Sequence, residues 1–529
     1  MPAPPRPQNV PARSLAGLAA LLGLRGPGGD GPDPASLRDR RRGITGVTHD
    51  STAVRPGDLY AALPGSSRHG ASFCGQAAAA GAVAVLTDPQ GKDRAAATGL
   101  PVFVVSDPRA RLGEVASWVY GNPSSRLTLI GVTGTSGKTS TTYLIEAGLR
   151  MAGHRAGLIG GVETRAAGLS EPSRLTTPEA TDLQALLAVM AERGVTAAAM
   201  EVSSHALALG RVAGTMFDVA VFTNLSRDHL DFHADMEDYF RTKAELFTPR
   251  YARAGVVNID DSKGRLLAAR APVPVTTFSA AGRAEADWRA VDVRCGADGS
   301  TFQVVGPGGV EADASITMLG PFNVANALGA IVALVETGLG LAEAIAGVAS
   351  CPGVPGRLER VEAGPDLTVL VDYSHKPGAV QAVLGALRPV TQGSLRIVLG
   401  CGGDRDAGKR PVMGATAAEL ADVAIFTSDN PRSEDPLAIL ADMLAGTLSV
   451  PAARRAHVIV EPDRAAAIAM AISGAGKGDV VLIAGKGHER GQYIAGRVLP
   501  FDDREVAARA LAERDLAEHA RAGAGGEPR

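Results

Sequence analysis

Residues 127 to 142 constrain the fold more than any other stretch. The apolar run Leu127-Thr128-Leu129-Ile130-Gly131-Val132 leads through Gly134-Thr135-Ser136-Gly137 into Lys138-Thr139-Ser140-Thr141-Thr142. A buried strand, a glycine-rich loop and a helix start, in that order, belong to a parallel α/β layer with both sheet faces covered. The same order suits phosphate. Glycines let backbone N–H groups turn toward an anion, the helix N-terminus adds its partial positive charge, Lys138 can reach β- and γ-phosphates, and Thr139 can bind Mg²⁺. Gly134, Thr135, Ser136, Gly137, Lys138, Thr139 and Ser140 are therefore candidate nucleotide-binding residues. The strict G-x-x-x-x-G-K-[ST] spacing fails, because its first glycine falls on Val132. The loop alone says nucleotide, and a switch or motor that uses hydrolysis to change shape stays open beside an enzyme that makes a bond.

Similar apolar runs recur at 83–86, 101–105, 219–222, 395–399 and 480–483, between Ala-rich helical stretches. This alternation predicts an α/β chain built on parallel sheets. A length of 529 residues predicts three domains. The turn-rich stretches Gly121-Asn122-Pro123-Ser124-Ser125 and Cys351-Pro352-Gly353-Val354-Pro355-Gly356 place them at 14–124, 125–355 and 356–518. The Pro-rich residues 1–13 and the closing residues 519–529 are expected to be disordered tails.

A formal net charge of −3 argues against a broad nucleic-acid-binding field, so anionic ligands must be held by local cations and backbone N–H groups. Cys74, Cys295, Cys351 and Cys401 form no C-x-x-C pair, which suits a reducing compartment and points to no zinc site or disulfide framework. The leucine-rich run Ser14 to Leu24 follows Arg6 and Arg13 as a signal-peptide core would, but no A-x-A cleavage site follows, and its leucines recur at helical spacing. No apolar stretch reaches the roughly 18 residues of a membrane span. The expectation is a cytoplasmic monomer acting on small molecules, without nucleic-acid or membrane partners.

The irregular loop is distinctive in its own right. Thr133-Gly134-Thr135-Ser136-Gly137-Lys138-Thr139 is similar to the T-G-T-[NS]-G-K-T loop of the Mur ligases and folylpolyglutamate synthetases. Further similar runs follow in order: Thr176-Thr177-Pro178-Glu179, Glu201-Val202-Ser203-Ser204-His205, Asn224 to Asp231, Phe322-Asn323-Val324-Ala325-Asn326, Gly356-Arg357, Asp372-Tyr373-Ser374-His375, Gly402-Gly403-Asp404-Arg405, Asp429-Asn430-Pro431-Arg432 and Gly485-Lys486-Gly487-His488-Glu489. Over about residues 48 to 505 the chain resembles the Mur ligase family, in particular its members that add diaminopimelate to UDP-MurNAc-L-Ala-D-Glu. The resemblance implies an N-terminal α/β domain for the uridine end, a central P-loop ATPase domain and a C-terminal Rossmann-like domain for the amino acid. It also implies an acyl-phosphate route. A carboxylate is a poor electrophile, so ATP must activate it, and positioning, metal and cations replace a protein nucleophile.

By this resemblance Lys138, Glu201, His229 and Lys243 carry catalysis. Mg²⁺ would be held by Thr139, Glu201, His229 and Lys243, the lysine as its carbamate, N6-carboxylysine. Glu201 closes an apolar run, at the strand end where open parallel sheets place ligands. Lys243, read from its surroundings alone, would pass for a solvated surface lysine. Asn323, Arg357 and Asp372 match residues that contact ATP across a domain junction. His49, Ser51, Ser66, Ser67 and Arg68 match uridine-binding turns, with Thr52 where the family often has arginine. Thr176, Thr177, Ser203 and Arg211 match positions that hold the muramoyl peptide.

Asp429, Asn430, Pro431 and Arg432, with Arg405, Gly485 and Glu489, would select the amino acid. Arg432 offers a planar fork to the distal carboxylate that diaminopimelate has and lysine lacks, and Glu489 can meet the distal ammonium. A lysine-adding homologue, whose motif ends in Asn or Ala, and a folylpolyglutamate-type ligase are the alternatives. Meso- and LL-diaminopimelate carry the same charges and are not separated.

Overall fold

The computed structural model describes residues 5–24, 37, 43–65, 67–363 and 366–524. They form two compact units: one of residues 1–289, 306–308 and 328–350, the other of 290–305, 309–327 and 351–529. The expected middle domain, 125–355, thus has 290–305, 309–327 and 351–355 in the second unit. The first two segments are tied to chain that follows: Thr317 Oγ1 donates to the Cys351 carbonyl, and Arg360 Nη2 donates to the Ala297 carbonyl at 2.7 Å.

The first unit holds two large sheets and a two-stranded one of Arg13–Ser14 with Gly43–Ile44. A four-stranded parallel sheet runs through Gly46–Thr48, Asp58–Ala62, Ala84–Thr87 and Val102–Val104. Helix Leu15–Leu22 packs on it, capped by the Ser14 hydroxyl and ended by Gly23 in the left-handed region, so the leucine-rich run is core. Residues 5–13 are not a free tail, because Arg6 is paired with Asp58 at 2.6 Å and the amides of Gln8 and Asn9 donate to Glu192. Leu112 and Val115 from helix Pro108–Val119 join Ala185 and Ala188 of helix Ala180–Glu192 in one core.

In the second sheet of this unit the strands Ala156–Ile159, Ala197–Glu201, Thr128–Thr133, Phe217–Phe222, Ala252–Asn258 and Val275–Ser279 lie side by side and parallel, with Glu163–Ala166 and Leu169–Pro172 antiparallel at one edge. Both faces of its central strands are buried, which explains why Leu129, Ile130 and Val132 form an unbroken apolar run rather than an alternating one. The glycine loop leaves a central strand, and Glu201 ends its neighbour in register with Val132.

The second unit contains the antiparallel hairpin Gly299–Val305 with Glu311–Ile316 and a six-stranded sheet, ordered Glu359–Val361, Leu367–Asp372, Asp479–Ala484, Leu395–Leu399, Val423–Phe426, His457–Val460. All but its first pair are parallel. Period-2 alternation divides this core in two. Leu370, Ile397, Phe426 and Leu482 face helices Pro377–Leu387, Lys409–Leu420 and Pro436–Gly446, whereas Val371, Val398, Ile425 and Ile483 face Arg464–Ser473 and Asp503–Ala524. The last helix reaches Ala524, into the stretch expected to be a disordered tail. Under the second face Arg464 and Asp503, both without solvent exposure, pair at 2.7 Å through two N–H···O bonds, and Arg464 Nη2 also donates to the Ala484 carbonyl. Among the described residues no helix is long and apolar enough to cross a membrane, and all four cysteines are free.

Candidate active site

The glycine loop owes its shape to positions that tolerate no side chain. Gly137 (φ 87°) opens helix Lys138–Met151, and a Cβ on Gly134 (φ 150°) would stand 1.9 Å from Thr223 Oγ1. Residues after the neighbouring strand brace the loop: the Thr135 amide donates to the Asn224 carbonyl, the Ser136 amide to Asn224 Oδ1, and Thr223 Oγ1 to the Ser136 carbonyl at 2.6 Å. Tyr239 closes the other side, its hydroxyl 3.2 Å from Thr135 Oγ1. Burial, against that hydrogen bond, pushes its phenol well above the ordinary range. Thr139 and Ser140 are buried in the first helical turn.

Two lysines converge here. Lys138 Nζ donates to the carbonyls of Gly134 (2.9 Å) and Thr135 (3.1 Å), and Lys243 Nζ donates to the same Gly134 oxygen at 2.9 Å. Lys243 is 1% exposed and lies over the Tyr239 ring, so it is not the solvated surface lysine its surroundings in the sequence suggest. Glu201 is buried, with Oε1 accepting from the Gly161 amide. His229 takes a positive φ of 54°, pairs with Asp228 and meets the rings of His205 and Tyr239. Burial, with His233 close by, lowers the His205 pKa. Among the described residues no three His, Cys, Asp or Glu side chains form a metal-holding group. A buried carboxylate and a threonine hydroxyl beside a phosphate loop are oxygen ligands of the kind Mg²⁺ takes, with phosphate and water completing its shell, whereas the Lys243 ammonium as it stands is a donor and not a ligand.

Thr176, Thr177, Ser203 and Arg211 stand together. Thr177 Oγ1 donates to the Glu201 carbonyl and accepts from the Ser203 amide, and Ser203 caps helix Ser204–Ala208. Thr176 flanks Gly161. Arg211 already pairs with Glu179 at 2.8 Å and reaches the Thr177 carbonyl, so an anionic group arriving there must share it with Glu179. In the four-stranded domain His49 Nδ1 lies 3.2 Å from Thr181 Oγ1, Ser51 Oγ donates to Gln76 Oε1, and Ser67 and Arg68 are exposed. Ser66 lies outside the described residues. Thr52, where the family often has arginine, closes the turn by donating its amide and hydroxyl to Asp50.

In the second unit the strand ends Asp372, Leu399, Phe426 and Ala484 each lead into a turn that carries candidate residues. Asp372 accepts from the Leu358 and Ser374 amides and from the Ser374 hydroxyl. Arg357 lies 4.6 Å over the Tyr373 ring, and buried Asn323 bonds the Leu319 carbonyl and Asn326. The 402–405 and 429–434 turns are sewn together: the Gly403 amide donates to the Asn430 carbonyl, Arg432 Nη1 to the Gly403 carbonyl at 2.7 Å, and Ser433 Oγ to Asp404. Arg432 (φ 56°) is pinned on its backbone by Tyr493 and Ala495, and Arg405 is exposed. Gly485 (φ 114°) lets Asp429 approach where a Cβ would meet its Oδ2 at 2.5 Å. Asn430 Nδ2 donates to Glu489 Oε2 at 2.8 Å, and Lys486, assigned no role from the sequence, bonds both. Tyr373 also touches Glu489, and burial followed by that carboxylate pushes its phenol up to about 12.

Three family models match this chain: "Mur ligase family, catalytic domain" at 43–120, "Mur ligase middle domain" at 132–334 and "Mur ligase, glutamate ligase domain" at 356–487. The chain belongs to the Mur ligase family. Among relatives of this Mur ligase, the UDP-N-acetylmuramoyl-L-alanyl-D-glutamate--2,6-diaminopimelate ligase of Streptomyces avermitilis is 60% identical over 510 residues, which is 96% of this chain and 98% of that protein. The protein so named from Corynebacterium glutamicum is 48% identical over 89% of this chain and 92% of its own length. A solved structure of a ligase of the same name superposes with a TM-score of 0.65 at 33% identity, covering 90% of this chain and 96% of that one. The three-domain α/β architecture expected from the sequence is that of this family.

Proposed function

We propose that this Mur ligase adds diaminopimelate to UDP-MurNAc-L-Ala-D-Glu with conversion of ATP to ADP and phosphate, a step of peptidoglycan synthesis. The observation that carries the choice of amino acid is the joining of the 402–405, 429–434 and 485–489 turns, which brings Arg432 and Glu489 onto one set of strand ends. A side chain bearing both a carboxylate and an ammonium answers that pair, and lysine answers only half of it.

In the reaction a γ-carboxylate oxygen of D-Glu attacks the γ-phosphorus of ATP and ADP leaves. The amine of diaminopimelate then attacks the acyl carbon, phosphate departs and the nitrogen loses a proton. The loop amides and Lys138 orient the phosphates, and Thr176, Thr177, Ser203 and Arg211 orient the peptide, supplying proximity in place of covalent catalysis. Mg²⁺ would be held by Thr139, Glu201, His229 and Lys243 as its carbamate, and when bound it neutralises charge between carboxylate and phosphate. Asn323, Arg357 and Asp372 would serve the nucleotide, and His49, Ser51, Ser66, Ser67 and Arg68 the uridine end. The reading includes a cytoplasmic setting, which four free thiols suit, and action as a monomer.

The test is amine-dependent phosphate release with UDP-MurNAc-L-Ala-D-Glu, comparing kcat/KM for diaminopimelate and lysine. A preference for diaminopimelate is expected, and a preference for lysine would overturn the assignment.

A further inference from the structure

Lys486 has no solvent-exposed surface, yet its ammonium lies at the amino-acid end of the sheet rather than in the core between helices. Burying a charge is costly unless it is paired and hydrogen-bonded. Its Nζ donates to Asn430 Oδ1 at 2.9 Å and to Glu489 Oε2 at 3.1 Å, while Asn430 Nδ2 donates to that same Oε2 at 2.8 Å. The Tyr493 amide adds a second donor to Asn430 Oδ1 at 3.0 Å. The triangle therefore fixes which way the Asn430 amide faces and which oxygen of Glu489 is occupied. Both donors converge on one edge of the carboxylate, and 30% of the Glu489 side chain remains open.

From this geometry we infer that Lys486 is a specificity-determining positioning residue for the incoming amino acid. It orients Glu489 and offsets part of its charge, so that the open edge of the carboxylate receives the side-chain ammonium. The inference rests on the diaminopimelate reading and assigns a role to a residue that does not itself touch the substrate. Without the ammonium, Glu489 loses a cation and a donor on Oε2, and Asn430 keeps only the Tyr493 amide on its carbonyl. The carboxylate then keeps the Asn430 donor and the Tyr373 contact but is held less firmly in one orientation, and recognition of the distal amine weakens while ATP and muramoyl-peptide binding, made elsewhere, stay as they were.

The experiment uses the full chain with UDP-MurNAc-L-Ala-D-Glu and ATP, and compares wild type, Lys486→Met, Glu489→Gln and the double variant. The acceptors are diaminopimelate and 2-aminopimelate, which keeps the distal carboxylate and lacks the distal amine. Lys486→Met is expected to raise KM for diaminopimelate by about tenfold or more, the scale of a lost charge-assisted hydrogen bond, with KM for the other two substrates changed by less than about twofold. The preference for diaminopimelate over 2-aminopimelate should shrink by a similar factor. The double variant should be little worse than the poorer single one, because both changes act through one carboxylate. An unchanged diaminopimelate KM, additive effects, or a loss of kcat with selectivity intact would overturn the inference. Lys486→Gln, which retains a donor, should be intermediate. If neither variant folds, the ammonium serves the fold and the inference also fails. Wild type that releases no phosphate with diaminopimelate would instead refute the functional reading.

Discussion

Replacing Arg464 by methionine should cost the second unit far more than replacing Arg464 and Asp503 together. The two side chains have no solvent exposure, share two N–H···O bonds of 2.7 Å, and Arg464 Nη2 makes a third bond of 3.0 Å to the Ala484 carbonyl. Removing one partner strands a buried charge, at a cost of about 3–5 kcal/mol. At about 2–4 °C per kcal/mol for a domain of some 150–250 residues, the unfolding midpoint of that unit falls by roughly 6–20 °C. Arg464 Nη1 is buried without a hydrogen-bond partner, so the intact pair is itself imperfectly compensated. Arg464→Met with Asp503→Leu removes both charges and should recover most of the loss. Calorimetry of the full chain reads the midpoint, and steady-state kinetics adds a second readout. Ala484 leads directly into Gly485 and Lys486, so the diaminopimelate KM should rise in the double variant even where stability returns. Single variants melting within about 2 °C of wild type, against the expected cost, would refute the reasoning, as would a double variant no more stable than the poorer single one.

Three further outcomes are expected. Arg432→Leu should lower kcat/KM for diaminopimelate by about 10- to 100-fold and narrow its margin over lysine, since one or more charge-assisted bonds to the distal carboxylate are lost. Lys243→Ala should nearly abolish amine-dependent phosphate release, and short-chain carboxylic acids should restore part of it; undiminished turnover would exclude a catalytic role for this lysine. Burial tends to raise the Glu163 pKa, but hydrogen bonds from Arg165, Ser170 and Tyr143 outweigh it and hold the carboxyl at about 2, below its ordinary 4.5. Its contribution to stability is therefore complete above about pH 4.5 and lost as the pH falls toward about 2. The stability difference between wild type and Glu163→Gln should accordingly shrink on acidification, and a difference that grows would contradict this assignment.

The backbone was largely legible in the sequence. The apolar runs at 127–132, 395–399 and 480–483 became Thr128–Thr133, Leu395–Leu399 and Asp479–Ala484, because strands buried on both faces leave a continuous local signature. The hairpin Gly299–Val305 with Glu311–Ile316 carried no such run and was not anticipated. Polar function was less legible because its partners are distant: Lys486 meets Asn430 across 56 residues, and Lys243 meets Gly134 across 109. Burial alone distinguishes either lysine from a surface one, and burial is a property of the fold. Motif resemblance pointed to Lys243, whereas Lys486 sat inside a quoted motif without a role. Asn224 likewise opened a recognised run, yet its work, bracing the amides of Thr135 and Ser136, depends on two strands lying side by side.

The oxygen of Gly134 accepts from both Lys138 and Lys243. Two like charges drawn to one acceptor repel each other, the more so because Lys243 is buried while Lys138 is half-buried, and the repulsion is offset when an anion enters or when one amine gives up its charge. Nucleotide entry and the charge state of Lys243 are thereby linked through a single carbonyl. Each should shift the other's equilibrium by the same factor, whichever occurs first.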